Sequence, residues 1–275
     1  MKWTGPAEEA VSRAPFFVRK RVRRKVEEEA VRQGATEVRI EHVEASRKRF
    51  LENMEDEVKG YQVESCFGNG ECPNRIRNDA ELVGRIDELL ASKELKSFLK
   101  DRVQGPLKLH HEFRVSVSGC PNACSRPQIV DVGILGARRP AIVTEDCDRC
   151  SECVETCREG ALLLPEDARA PILDEDACLA CGRCIEACPA GALVGRDIGY
   201  RVLVGGKLGR HPQLGIELEG VHPVSEVLEI LDGCLEVYTS HCREGERFGE
   251  VLNREGMEVL VEKLRKKSEK MTLLT

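Results

Sequence analysis

Eight cysteines in two tandem runs constrain this chain more than any other feature. The first run is Cys147-x2-Cys150-x2-Cys153-x3-Cys157, and the second is Cys178-x2-Cys181-x2-Cys184-x3-Cys188-Pro189. Three cysteines two residues apart wrap one face of an iron–sulfur cubane, and the fourth lies on the following turn and points at the neighbouring cluster. The spacing therefore assigns Cys147, Cys150, Cys153 and Cys188 to one [4Fe-4S] cluster. It assigns Cys178, Cys181, Cys184 and Cys157 to a second. Zinc also takes four thiolates from paired C-x2-C units, but two tandem four-cysteine runs favour iron–sulfur. Each run leads into Gly-Ala-Leu, so Cys147–Leu164 and Cys178–Val194 are the halves of an internal repeat.

These runs resemble the bacterial two-cluster ferredoxins over all 58 residues of the segment 141–198. One departure is Arg158, which follows Cys157 where that family carries proline; the expected effect is a looser turn or an altered cluster potential, with no ligand lost. The rest of the composition agrees with a metalloprotein. Fourteen cysteines in 275 residues are too many for chance and the chain too long for a small disulfide scaffold. Apolar residues make up 41% and charged residues 33%, as in a soluble globular protein. No apolar run approaches the roughly 18 residues of a membrane span, and the start MKWTGPAEEAV lacks the layout of a secretion signal. The expectation is a cytoplasmic protein with no membrane span and no nucleic-acid partner. The net charge of −6 is uneven: residues 1–50 stand at +5 and the remainder at −11.

Four further cysteines follow another layout. Cys66-Phe-Gly-Asn-Gly-Glu-Cys72 is C-x5-C, and Cys120-Pro-Asn-Ala-Cys124 is C-x3-C, with 47 residues between the pairs. Gly68 and Gly70 let the backbone fold closely round a bulky group, and Pro121 suits the start of a short helix. Metal chemistry alone makes this a four-thiolate site, either iron–sulfur or zinc. Tyr61–Glu64 reads as a strand into Cys66 and His111–Ser118 as a strand into Cys120, with Phe113, Val115 and Val117 on one face. Asp79–Leu90 and Lys93–Val103 read as helices, Ile129–Leu135 and Tyr200–Val204 as strands, and Pro223–Leu231 and Phe248–Leu264 as helices.

C-x5-C followed by Gly119-Cys120-Pro121-Asn122-x-Cys124 resembles the sirohaem–cluster half of the sulfite and nitrite reductases. Val204-Gly205-Gly206-Lys207-x-Gly209-Arg210-x-Pro212 is similar to the glycine-rich loop of that domain, and Gly245-Glu246-Arg247-Phe248-Gly249 to its last helix. A ferredoxin insertion after Val132-Gly133-Ile134 is typical of the dissimilatory and anaerobic assimilatory branches. The resemblance covers about residues 60–275. It implies that Cys66, Cys72, Cys120 and Cys124 hold a third [4Fe-4S] cluster, and that Cys124 bridges this cluster to a sirohaem iron. Sirohaem carboxylates need cationic partners. The candidates are Arg75, Arg77, Arg114, Arg126, Lys207 and Arg210, with Lys207 and Arg210 preferred because they flank glycines; a surface role is open for each. Arg126, Lys207 and Arg210 are the basic candidates for the reacting centre, whose catalytic residues the sequence leaves unknown. His110, His111 and His211 are candidate proton donors or solvated side chains. Cys234 reads as a small buried residue, and Cys242 follows His241, so a ligand role is open to it.

The N-terminal region is different. Pro6 suits the start of one helix and Pro15 the start of a second. Val18, Val22, Val26 and Ala30 form an apolar stripe. Arg23–Glu27 and Lys25–Glu29 are expected i,i+4 pairs, and Gly34 closes the helix. Thr36–Ile40 reads as a short strand and Glu41–Glu55 as a helix. The basic run Arg19–Lys25 is read as a solvated helix face or as a docking face for an acidic partner or cofactor. The pattern Trp3-x3-Ala7-x3-Val11-x2-Ala14-Pro15-x-Phe17-Val18-Arg19 resembles the small helical region that ends one of the component chains of light-independent protochlorophyllide reductase.

The expected fold is α+β. A helical domain spans 1–55. A cluster half-domain spans 56–140 and 199–275, and a ferredoxin module at 141–198 interrupts it. Complete sulfite and nitrite reductases carry a further half before the first C-x5-C, and only about 65 residues precede Cys66 here. Two functions follow. One is an enzyme in which electrons reach a sirohaem-coupled cluster and reduce a small oxyanion such as sulfite or nitrite. The other is an iron–sulfur electron-transfer subunit, without sirohaem, that serves a partner reductase. Either implies a redox partner protein, in a homo-oligomer or a hetero-complex.

Overall fold

In the computed structural model, which describes residues 1–14, 16–66, 72–77 and 79–272, the chain divides into two compact units. One comprises Met1–Val58 with Pro106–His110, and the other Lys59–Gly105 with His111–Thr275. Pro15, Gly68 and Gly70, to which the sequence assigned roles, lie outside the described residues.

The first unit begins with a two-residue strand β1 (Lys2–Trp3) and helix α1 (Gly5–Ser12), with Pro6 in its first turn. Helix α2 (Phe16–Arg32), strand β2 (Glu37–Val38) and helix α3 (Ile40–Glu57) follow, and β1 pairs in parallel with β2. Residues of the motif and of the apolar stripe meet in the core: Ala7, Val11, Val26, Ala30 and Val38 are buried together, with Trp3 and Val22 packed on them. Gly34 takes a φ of 70° and its N–H donates to the Val31 carbonyl at 2.9 Å, closing α2 as a C-cap glycine does. The two expected i,i+4 pairs do not form. Glu27 accepts the Trp3 indole N–H at 2.9 Å, while Glu29 is held by Arg32, Gln33 and Arg49. Arg23 turns instead over the Trp3 ring at 4.3 Å, and Lys25 to Glu28. Tertiary partners override local spacing.

The second unit is built on a five-stranded sheet. Strand β3 (Tyr61–Ser65) is followed by helices α4 (Ala80–Ala91) and α5 (Leu95–Arg102), then by β4 (Phe113–Ser118) and β5 (Val132–Ile142). Within the insert come α6 (Glu152–Thr156), β6 (Leu162–Leu163), β7 (Ile172–Leu173) and α7 (Arg183–Ala187). The chain returns as β8 (Leu193–Val204) and β9 (Ile216–Glu217), and ends in α8 (Val224–His241), α9 (Phe248–Glu255) and α10 (Glu258–Thr272). The strand order is β3-β4-β5-β8-β9; β3, β4 and β5 run parallel, and β8 and β9 are antiparallel to their neighbours.

Phe113, Val115 and Val117 are buried as their alternation requires, but Ser116 and Ser118 are buried too. The strand is central and covered on both faces. Its two hydroxyls are satisfied by Ser125: Ser116 Oγ donates to the Ser125 carbonyl at 2.7 Å, and Ser118 Oγ bonds Ser125 Oγ at 2.6 Å. Helices α4 and α8 cover the sheet with Leu82, Ile86, Leu90, Leu231 and Leu235. Phe113, Tyr238 and Phe248 meet in tilted and edge-on contacts with ring centroids 5.4–6.2 Å apart.

Strands β5 and β8 are longer than their sequence patterns. They form one antiparallel ribbon, with a bulge between Arg139 and Pro140 where proline removes a donor. The ribbon runs through positions 141 and 198, and the repeat sits at its tip. The expected helix Phe248–Leu264 is broken at Gly256, whose φ is 88°.

Candidate iron–sulfur centres

The internal repeat is exact in the backbone. Every cysteine of the first run has its counterpart 31 residues on, and the left-handed residues repeat with it: Arg149, Ser151 and Gly160 match Ala180, Gly182 and Gly191. An L-residue in that region is strained. Of the seven non-glycine residues with positive φ among the described residues, five (Ala123, Arg126, Arg149, Ser151 and Ala180) lie within two residues of one of the twelve cysteines in the C-x5-C, C-x3-C and tandem runs. The turns bend the backbone round each thiol and aim N–H groups at it; the Ala180 N–H meets Cys178 Sγ at 3.4 Å. Arg158 leaves the turn unchanged. Cys157 has φ −77° and ψ 101°, and Cys188, followed by proline, has −77° and 106°.

All fourteen cysteines are free thiols. Electrostatic coupling among them separates three groups. Burial pushes the Cys184 thiol up to about 12, and the neighbouring Cys181, Cys178 and Cys157 thiolates push it the same way. Burial also raises Cys178, and after the lowering influence of the Ala180 N–H and Arg139 it is raised further by Cys181 and Cys157. These four cysteines line one pocket, with Leu162 and Leu173 on its apolar side. Burial raises the Cys153 thiol as well, and Cys188 and Cys150 add to the rise. At Cys150 the Glu152 N–H has a lowering influence, outweighed by Asp148, desolvation and Cys188. So Cys188 stands beside the first run and Cys157 beside the second. Cys147 takes its place by the repeat, as the counterpart of Cys178.

The third group forms where β3 and β4 end. Cys66 follows β3, and its N–H donates to the Val117 carbonyl at 3.0 Å. Cys120 follows β4, and the Ala123 N–H returns to its carbonyl at 3.2 Å, a tight turn that Ala123 completes at φ 55°. Burial raises the Cys120 thiol; the Asn122 N–H opposes this, and Cys72, Cys124 and Cys66 raise it further. Cys124 is exposed. Among the described residues no three His, Cys, Asp or Glu side chains converge on a point as a single metal ion requires. A cubane is larger than one ion, and its thiolates stand further apart. Thiols gathered this closely need a positively charged centre to release their protons together. The donor sets, turns and pocket thus fit three cubanes.

Other charged groups were not legible as a site. Asp79, just before α4, is 1% exposed, and it accepts the Tyr200 hydroxyl at 3.0 Å. Burial holds its carboxyl above the usual range against the lowering influence of Tyr200, Arg75 and Arg77, and burial and Asp79 push Tyr200 up to about 12. The pair lies directly behind Cys120, since a Cβ on Gly119 would stand 2.7 Å from Asp79 Oδ2. Asp131 is fully buried and receives the Arg114 backbone N–H at 2.8 Å and the Arg247 guanidinium. An acid inside Ile129-Val130-Asp131-Val132 was the available signal, because a charge in an apolar run must find a partner.

The basic candidates are dispersed. Arg75 and Arg77 attend Asp79, with Arg77 5.6 Å from the Tyr200 ring centroid. Arg126 is exposed, two residues from Cys124, and Arg210 is exposed on the glycine loop. Lys207 is mostly buried and donates to Glu250 Oε1 at 2.6 Å. Gly205 and Gly206 serve the protein's own packing, since a Cβ on Gly206 would stand 2.5 Å from the Gln128 carbonyl, whereas a Cβ on Gly209 would meet nothing within 4 Å. His110 and His111 belong to a 3-10 turn, and His211 is exposed. Cys234 is fully buried, and burial holds its thiol far up. Cys242 donates to the Glu246 carbonyl at 3.4 Å, apart from the three groups.

This combination, a mixed sheet whose strand ends carry one cysteine group and whose ribbon carries two more, defines an iron–sulfur protein of the sulfite and nitrite reductase fold. The solved structure of dissimilatory sulfite reductase I has the same fold, with a TM-score of 0.51 at 20% identity, covering 81% of this chain and 57% of that one. Residues 59–271 match the nitrite and sulphite reductase 4Fe-4S domain, and the chain belongs to that family. Residues 3–47 match the family described as proto-chlorophyllide reductase 57 kD subunit. The coenzyme F420-dependent sulfite reductase of Methanocaldococcus jannaschii is 34% identical over 203 residues, 73% of this chain and 30% of that protein. One subunit of the anaerobic sulfite reductase of Salmonella typhimurium is 27% identical over 138 residues, 45% of this chain and 36% of that protein. The chain thus spans about a third of the length of these curated relatives. No helix among the described residues is long and apolar enough to cross a membrane.

Proposed function

We propose that this sulfite reductase-type redox protein holds three [4Fe-4S] clusters and a sirohaem, and reduces a small oxyanion with electrons from a redox partner. The observation that carries this is the sorting of its cysteines into three groups, two of them cross-paired between the runs. Cys147, Cys150, Cys153 and Cys188 hold one cluster, Cys157, Cys178, Cys181 and Cys184 a second, and Cys66, Cys72, Cys120 and Cys124 the third. The exposed Cys124 faces the sirohaem, and Arg114, Arg126 and Arg210 are the cations offered to its carboxylates. When bound, the clusters store and pass single electrons and the sirohaem supplies an open iron position for the oxyanion. The residues 1–55, 56–140 with 199–275, and 141–198 act as helical domain, cluster half-domain and ferredoxin module. Sulfite is favoured over nitrite by the names of the two relatives above. The second of them is by name one subunit of a reductase, which supports a hetero-complex. The cytoplasm is the compartment that suits unpaired thiols and these cofactors.

A second reading has its own observation. Lys207, a preferred cation for sirohaem, is already committed to Glu250. In that reading the chain keeps three clusters, binds no sirohaem and serves a partner reductase. Acid–acetone extraction of protein purified anaerobically from a sirohaem-producing host separates the two. The first reading expects a tetrapyrrole in the extract; an extract free of tetrapyrrole rejects it and leaves the second.

A further inference from the structure

Two of the cysteine groups are fastened to one strand, two residues apart. On β5, Gly136 lies so close to Gly119 that a Cβ there would collide with the Gly119 carbonyl; Gly119 precedes Cys120. Two residues on, the Arg138 N–H donates to the Ala180 carbonyl at 2.7 Å, and Arg138 forms a parallel bridge with Cys181. Two residues of strand span about 7 Å. The strand therefore acts as a ruler between the Cys120 turn and the Cys181 turn.

Side chains brace the same junction. Gly182 lies under Arg138, where a Cβ would stand 3.1 Å from Arg138 Cδ. Arg201 donates to the Leu179 carbonyl at 3.1 Å while both Glu217 oxygens hold its guanidinium at 2.5 and 2.6 Å. Arg183, the residue before Cys184, donates to Asn74 Oδ1 at 2.6 Å, two residues after Cys72. The matching loop of the first run is held within the insert instead: Arg149 donates to the Pro165 and Glu166 carbonyls at 3.2 Å.

From this we infer that the insert docks with a fixed polarity. The Cys157/Cys178/Cys181/Cys184 group stands next to the Cys66/Cys72/Cys120/Cys124 group, and the Cys147/Cys150/Cys153/Cys188 group stands outermost. Arg138, Arg183 and Arg201 are the positioning residues that keep this order. The inference rests on the three-cluster reading and deepens it, because it names which insert group neighbours the third and which one an external donor meets first.

Iron-edge anomalous diffraction from crystals of the reconstituted full chain tests the order, since each iron group is located against numbered cysteines. The expected map has the Cys157 group between the other two. A map with the Cys147 group nearer to Cys120 overturns the inference and leaves the three-cluster reading standing. Fewer than three iron groups overturns that reading and the inference with it. In solution, electron paramagnetic resonance of the fully reduced holoprotein reads the junction. Arg183→Ala should keep the wild-type iron content and lose part of the spin–spin splitting, and Arg183→Lys, which retains a donor, should regain it. An Arg183→Ala spectrum identical to that of the wild type overturns the role of Arg183.

Discussion

Asp131 and Arg247 show what was hidden at the scale of single residues. The cysteine runs stand out in the sequence because a cubane, where one is bound, dictates ligand spacing along the chain. The Asp131–Arg247 pair joins residues 116 positions apart; an acid in an apolar run calls for a partner, but no local pattern names Arg247 as that partner. Removing one member of a buried ion pair leaves the other uncompensated, at a cost of about 3–5 kcal/mol. Asp131→Ala should therefore lower the free energy of unfolding by that order in a denaturant titration of the apoprotein. It should cost more than Asp131→Asn, which retains an acceptor. Tyr200→Phe removes the hydroxyl donor from buried Asp79, and about 1–3 kcal/mol is the expected loss. The same titration checks it, and an unchanged midpoint would mean that another group satisfies Asp79.

Among the elements, helices and strands were legible in kind but not in extent. The sequence pattern of β5 stops at Leu135, because Arg138-Arg139-Pro140 hides the strand's continuation; the ribbon partner β8, not local propensity, carries the strand to Ile142. The helix after Phe248 ends at Gly256 because a left-handed glycine closes α9 before α10 begins. Helices α8 and α10 are joined by charge as well as by apolar packing. Burial would raise the Asp232 and Glu236 carboxyls, but hydrogen bonds from Lys267 and Lys93 to Asp232, and from Lys263 and Lys267 to Glu236, hold both below their ordinary values of 3.8 and 4.5. A depressed carboxyl stabilises the fold fully above its unfolded value, and the contribution disappears as pH falls through the folded one. These side chains are partly exposed, so the combined effect is about 1 kcal/mol. Hydrogen exchange of the α10 amides should accelerate below about pH 4.5 relative to their intrinsic rates, and less so in Lys267→Met, which is already loosened at neutral pH. Equal protection of α10 in the two proteins at neutral pH would contradict the role given to Lys267.

For the whole molecule, the order of motifs carried the fold. C-x5-C, the parallel strands into Cys66 and Cys120, the cysteine repeat and the glycine loop all lie within residues 59–271, which match one family. What the sequence did not carry is how the repeat is fastened to the sheet. That depends on Arg138, Arg183 and Arg201 finding carbonyl and amide oxygens on other segments, and such bonds leave no periodic trace. The account stands on its cluster count, and the direct measurement is iron and acid-labile sulfide per chain in anaerobically reconstituted protein. Three cubanes require about 12 of each. Cys181→Ala should reduce the iron while leaving the third group loaded. Stoichiometric zinc, or about 8 iron per chain in the wild-type protein, would contradict the assignment of twelve cysteines to three clusters.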